Sequence, residues 1–255
     1  MNGNAGGNLQ KKYPLSKVQR GIYFESIQSP ELTNYNTGYK MRFSRRIDTQ
    51  KLRQALLKIV NTYPVFRTRV CEENGQLLQY EDTSIHIAVP VEKIPDEQVE
   101  ERIRTFIRPF AIDRDPLTRF LLLETPKAVW LLQDMHHVIC DMSSAAQLKN
   151  VLEAVYNGQE PPEEVMSLYA YAQREKEQQD AGWYEADAAY YREHFQGAAA
   201  SRLPERLSEN TGAHRILKFP ADKAGIDSFC REQQFSAVWL FMAAFELVVA
   251  RLSRE

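Results

Sequence analysis

The chain switches between two hydrophobic periods. Residues 36–44 alternate strictly, with Tyr39, Met41 and Phe43 on one side and Lys40, Arg42 and Ser44 on the other, which predicts a half-buried strand. Upstream, Ser16 with Gln19 three residues later is the opening of a capped helix. Downstream, Asp48 precedes Leu52, Ala55, Leu56 and Ile59 at helical spacing, and Pro64 ends that helix. The runs 65–71 and 76–81 flank Asn74-Gly75, a pair that tolerates positive φ at both turn positions, so a hairpin is predicted. A helix after Asp96 is expected to bury Val99, Ile103, Phe106, Ile107 and Phe110. Residues 117–124 and 128–135 predict a second strand pair around Thr125-Pro126-Lys127.

A helix from about Ser143 places Leu148, Val151, Leu152 and Val155 on one side, with Gly158 as its stop. Pro161-Pro162 breaks the chain before a long polar-aromatic helix reaching about Phe195. Residues 196–212 are small and polar and read as a linker. A short strand over 215–219, a helix from Asp222 and an apolar helix from Ser236 follow. The last is hydrophobic nearly all round and calls for burial on every side. The pattern divides into a flexible tail (1–12), an α/β unit (13–196), a linker (197–213) and the start of a second unit (214–255), which is expected to be incomplete.

Composition narrows the classes. Hydrophobic residues at 44% and charged residues at 26% exclude wholesale disorder. Lys and Arg number 32 against 34 Asp and Glu, so no basic field supports nucleic-acid binding. Three scattered cysteines make neither a disulfide scaffold nor a zinc finger, and a reduced, cytoplasmic setting is the expectation. The N-terminus lacks the apolar run of a secretory signal, and the apolar stretch 236–252 is shorter than the ~20 residues that span a bilayer.

Chemistry concentrates in Met135-His136-His137-Val138-Ile139-Cys140-Asp141-Met142-Ser143-Ser144, where an apolar strand meets a helix. Adjacent strand residues point to opposite faces, so His136 and His137 are expected to do different jobs: one facing a cavity as a base, the other held in the scaffold. A purely structural role for both is the alternative. Their opposed directions make a metal site awkward, and none is expected. Cys140 reads as a small buried thiol.

His136-His137-Val138-Ile139-Cys140-Asp141 resembles the HHxxxD part of the HHxxxDG signature of condensation domains of non-ribosomal peptide synthetases, with Met142 where the motif has Gly. Ordered flanking stretches agree. Residues 16–23 (SKVQRGIY) resemble the family's opening SxAQxRxW/Y helix, and Phe66-Arg67-Thr68-Arg69 its LRTxF strand. Pro109 to Asp113, then Pro116 to Arg119, resemble the PFDL…PLxR segment. Tyr171-Ala172 resembles the YxDYA helix, with Ala170 at the usual Asp.

The resemblance runs from about Tyr13 to the end of the chain. It implies the chloramphenicol-acetyltransferase-like fold, a mixed sheet flanked by helices in each of two halves, with the second half truncated here. It also implies amide-bond formation by attack of a carrier-bound amine on a carrier-bound acyl thioester. His137 then takes the place of the catalytic second histidine, an assignment that suits an imidazole's ordinary titration near pH ~6.5. His136, Asp141 and Met142 complete the motif, and Asp141 is expected to pair structurally with Arg67. The domain binds no cofactor of its own; its substrates ride on phosphopantetheine arms of donor and acceptor carrier proteins, and the 255-residue chain alone is expected to be inactive. A non-catalytic carrier-docking module and an O-acyltransferase of the same superfamily are the alternatives.

Overall fold

The computed structural model describes residues 10–198 and 218–253. The chain divides into two units, residues 1–185 and 186–255. The first opens with a short strand, β1 (Tyr13–Pro14), and a helix, α1 (Lys17–Gln28). The Ser16 hydroxyl accepts the Gln19 N–H while the Gln19 side chain accepts the Ser16 N–H, satisfying two donors that a helix start leaves free. Strand β2 (Asn36–Ser44) follows, then α2 (Thr49–Thr62), whose Asp48 cap accepts the Lys51 N–H. Asp48 supplies the carboxylate that helix N-termini favour.

Pro64 does more than end α2. It starts a single 3₁₀ turn over Pro64–Arg67, so the first three residues of the expected strand are helical and β3 begins at Thr68 (Thr68–Glu73). Its hairpin partner is β4 (Gln76–Glu81), joined through Asn74 and Gly75 at φ 52° and 75°. These positive φ values match the right-handed twist of the strands. β1 adds to the other side of β4, giving an antiparallel sheet in the order β1-β4-β3.

The larger sheet contains β5 (Val91–Lys93), β6 (Thr118–Glu124) and β7 (Ala128–His136), in the order β2-β7-β6-β5. β7 runs antiparallel to β2 and β6, and β5 lies parallel to β6. Between β5 and β6 lies α3 (Val99–Phe106). It stops earlier than its apolar spacing suggests, because Ile107 is extended, and Phe110 reaches the core from irregular chain. After β7 come α4 (Met142–Tyr156), ended near Gly158 at φ 94°, and α5 (Leu168–Asp180).

One face of the large sheet, with Met41, Phe120, Leu122, Val129 and Leu131, packs against Leu52, Leu56 and Ile59 of α2 and Leu148 and Leu152 of α4. Leu121, Leu123 and Leu132 on the other face pack with Phe106 of α3. Burying each such side chain contributes about 1.5–3 kcal/mol. The polar side of β2 is also used: Lys40 and Arg42 lie over the Trp130 ring, whose Cα partner is Arg42. Stacking of Tyr13 on Tyr169 at 5.2 Å holds α5 against β1.

The expected long helix to Phe195 is two helices. Gly182, at φ 72°, adopts the left-handed conformation that turns the chain between α5 and α6 (Glu185–His194). The division between units also falls here, upstream of residue 196. In the second unit α7 (Lys223–Glu232) is capped by Asp222, and α8 (Ala237–Ser253) follows it. The expected tail (1–12), linker (197–213) and strand (215–219) lie largely outside the described residues. No single described helix is long and apolar enough to cross a membrane.

Among the described residues α8 buries none of its own. Val238, Trp239, Phe245 and Leu247 are each more than 60% exposed, and an apolar surface of this kind drives association. The 255-residue chain is therefore expected to self-associate, and truncation after Gln196 to relieve it. Sedimentation velocity is the check; a clean monomer for the longer chain contradicts the expectation.

Candidate functional site

The end of β7 separates the two histidines. His136 is the last residue of the strand and is 3% exposed, whereas His137 stands at the surface. The His136 Nδ1 accepts the Val138 N–H at 3.2 Å, and its Nε2 lies 3.2 Å from Ser26 Oγ. The Ser26 hydroxyl hydrogen already goes to the Ile22 carbonyl at 2.7 Å, so Nε2 carries the proton and Ser26 accepts it. Phe110 meets the His136 ring edge-on at 5.8 Å. Burial lowers the His136 pKa to about 4, with the neighbouring His137 adding to the effect. His136 is a neutral imidazole with both nitrogens engaged, and is not free to move a proton.

His137 is held by its backbone. Its N–H donates to the Tyr35 carbonyl at 2.7 Å, and the Tyr35 ring stands edge-on to the imidazole at 6.4 Å. Beyond it Val138, Ile139 and Cys140 turn inward and are buried. Burial pushes the Cys140 thiol up to about 11, so it is a packed, un-ionised group. No cluster of three metal-ligating side chains occurs among the described residues.

Asp141 does not pair with Arg67. It is the N-cap of α4: its carboxylate accepts the Ser144 N–H at 2.8 Å and the Ser144 hydroxyl at 2.9 Å, and Ser144 Oγ accepts the Asp141 N–H in return. These bonds hold its carboxyl below the usual range. Arg67 donates through Nε and Nη2 to Glu81 Oε1, at 2.9 and 2.5 Å, and through Nη1 to the Val60 carbonyl at 2.5 Å. Strand register makes that choice, since Thr68 pairs with Glu81 and so brings Arg67 to the same carboxylate. Met142 is the first residue of α4 and is 63% exposed.

A group that sequence reasoning missed braces the site. Asp134, fully buried on β7, accepts Asn36 Nδ2 on both oxygens at 2.9 Å and Arg119 Nη1 at 2.9 Å. The same guanidinium donates to the Arg108 and Pro109 carbonyls and lies 3.6 Å from the Phe110 ring centroid. Desolvation raises the Asp134 pKa and lowers that of Arg119, against their mutual attraction. The pair thus fixes the segment that places Phe110 on His136. The available signal was a carboxylate in a mostly apolar strand, two residues before His136.

Grooves lie on both sides of the loop. One of about 330 Å³ is lined by Ser26, Tyr35, Asn36, Phe110 and His136. The other, about 630 Å³ and more apolar, is lined by Phe66, Met135, Ile139, Cys140, Leu148 and Val151.

Two outcomes follow from this geometry. Asp141→Ala removes a helix cap and is expected to cost about 1 kcal/mol. Because Arg67 and Asp141 share no contact, Arg67→Ala should add to it within about 0.5 kcal/mol in a denaturation double-mutant cycle. Strong coupling would restore the ion pair. His136 binds its proton near pH 4 in the fold and near ~6.5 when unfolded. Its stabilising contribution is therefore complete above pH ~6.5 and is lost as pH falls towards 4, by about 3 kcal/mol. His136→Gln should flatten this acid limb in urea titrations at stepped pH; an unchanged slope would remove His136 as its source.

Residues 9–255 match the family model described as Condensation domain. The chain is 29% identical to surfactin synthase subunit 2 of Bacillus subtilis (strain 168), over 97% of this chain and 7% of that protein. It is 26% identical to tyrocidine synthase 3 of Brevibacillus parabrevis, over 97% of this chain and 4% of that protein. The chain thus spans less than a tenth of these relatives' length. Among solved structures, the condensation domain from Monacolin K polyketide synthase MokA superposes with TM-score 0.78 at 18% identity, covering 96% of this chain and 60% of that one. The starter condensation domain of rhizomide synthetase RzmA gives 0.67 at 20% identity, covering 74% and 49%. These two show a shared, chloramphenicol-acetyltransferase-like fold. Sequence match, fold and the ordered motifs around His137 lead to one assignment: the chain belongs to the condensation-domain family of non-ribosomal peptide synthetases.

Proposed function

We propose that this chain is the N-terminal part of a condensation domain that joins a carrier-bound amine to a carrier-bound acyl thioester. The observation that carries this reading is the division of labour at the end of β7. His136 has both nitrogens committed within the protein, while His137 presents an exposed imidazole from a backbone held by Tyr35. In the reaction the amine nitrogen attacks the thioester carbonyl carbon and the C–S bond breaks. The amine proton passes to the His137 imidazole and from there to the departing thiolate, leaving an amide and a free phosphopantetheine thiol. Both substrates arrive on phosphopantetheine arms of carrier proteins, in the cytoplasm. The domain adds no cofactor, and the rest of the condensation domain supplies the opposite wall.

Asp141 and Met142 serve this site through the start of α4. The Asp141 cap turns the chain into the helix, and the exposed Met142 side chain lies on its first turn. A hydroxyl acceptor would ask the same of His137, so matched amine and alcohol acceptors separate amide from ester formation.

In the full-length protein that contains this chain, His137→Ala is expected to abolish carrier-dependent product while leaving the melting temperature near that of the parent. His136→Ala should chiefly lower the melting temperature. Product release followed by mass spectrometry, beside thermal melting, is the measurement. Turnover of His137→Ala at the parental rate would refute the assignment and favour a non-catalytic docking role.

A further inference from the structure

Gln19 does more than close the helix cap. Its Oε1 accepts the Ser16 N–H at 2.9 Å. Its Nε2 gives one hydrogen to Gln79 Oε1 and the other to the Val138 carbonyl, each at 2.9 Å. Gln79 returns a hydrogen to Gln19 Oε1 at 3.0 Å and donates its second to the Pro14 carbonyl at 2.9 Å. Both side chains are buried, at 4% and 0% exposure, and all four amide hydrogens are placed. The orientation of each amide follows from these partners: Ser16 and Val138 demand an acceptor and a donor that only one flip supplies.

The Val138 peptide groups are next to His137. The Val138 N–H is tied to His136 Nδ1, its carbonyl to Gln19, and the His137 N–H to the Tyr35 carbonyl. Ser26 of α1 meets the His136 ring, whereas Gln19 ties the loop's own backbone, at the Val138 carbonyl, to α1 and, through Gln79, to β4 of the smaller sheet. We infer that Gln19 is a positioning residue for His137, using its side-chain amide to hold the Val138 carbonyl and so the direction of the imidazole. This inference rests on the catalytic reading of His137 given above. Removing the bond leaves a buried carbonyl without a donor and lets the loop shift, and misplacement of about 1 Å is enough to cost on the order of 100-fold in rate.

A matched pair of variants in the full-length protein isolates the bond. Gln19→Glu keeps an acceptor for Ser16, as glutamate is equally suited to that capping position, but has no hydrogen for Val138. Gln79→Glu buries a carboxylate in the same place, still accepts from Gln19 and leaves the Val138 bond intact. Both are expected to lower the melting temperature. Only Gln19→Glu should lower kcat, by on the order of 10- to 100-fold with KM for both carrier substrates unchanged. It should also speed hydrogen exchange in the peptide covering residues 136–140. Gln19→Met, which removes the donor without burying a charge, should reproduce the kcat loss if Gln19→Glu does not fold.

Equal kcat losses in Gln19→Glu and Gln79→Glu, or parental kcat in Gln19→Met, would overturn the positioning role. Parental turnover in His137→Ala would instead refute the catalytic reading, and hydrogen exchange would still show whether Gln19 holds the loop.

Discussion

β7 forms hydrogen-bonded ladders with β2 on one side and β6 on the other, is buried on nearly its whole length, and ends at His136. A one-residue slip would exchange the set packed on α2 and α4 with the set packed on α3, so a strand paired and covered in this way is held to one register. The same register that seats Val129 and Leu131 in the core therefore turns His136 inward. His137, the next residue, leaves the ladder at the surface. Every other feature of the site acts on this junction: Tyr35 takes the His137 N–H, Ser26 and Val138 engage the two His136 nitrogens, and Asp141 turns the chain into α4.

Polar groups inside the unit are placed in support of that junction. Asp134 and Arg119 face each other across β7 and β6, and burial works against the charge on both. Such a pair is a weak source of net stability, because desolvation consumes most of the attraction. Its value is directional: the guanidinium fork holds two carbonyls and the face of Phe110 at once, and Phe110 abuts His136. Gln19 plays the equivalent part at the Val138 carbonyl with a neutral amide, which costs less to bury when every hydrogen is placed, and Gln79 satisfies that amide without touching the loop.

Membership of the condensation-domain family accounts for the order of the motifs, and the structure shows how they meet. The α1 segment reaches the histidine loop through Gln19 and Ser26, and the segment 109–119 reaches it through Phe110 and Arg119. The Phe66-Arg67-Thr68 segment contributes differently: Arg67 knits the end of α2 to β4, and Phe66 lines the apolar groove beside Ile139 and Cys140. These segments are far apart in the chain and are brought together by the two sheets.

The amino-acid sequence alone determined the elements whose signals are local. Alternation in 36–44, the Ser16 and Asp48 caps, the Asn74-Gly75 turn and the helical spacing of α2 and α4 all depend on neighbours within a few residues, and all are present. The different surroundings of His136 and His137 have another origin than strand alternation: β7 ends at His136, which is buried, and His137 is exposed in the turn that follows. Tertiary structure decided the rest. Gly182 breaks a helical pattern that periodicity alone would continue, and α3 gives way to extended chain before Phe110. Above all it decided which charge meets which: Arg67 took Glu81, Asp141 took the end of α4, and Asp134 took Arg119. A side chain's rotamers and a helix's cap are set within a turn of chain. The partner of a buried charge is set by strand register and by which segments reach the same few ångströms, and only the folded chain specifies that.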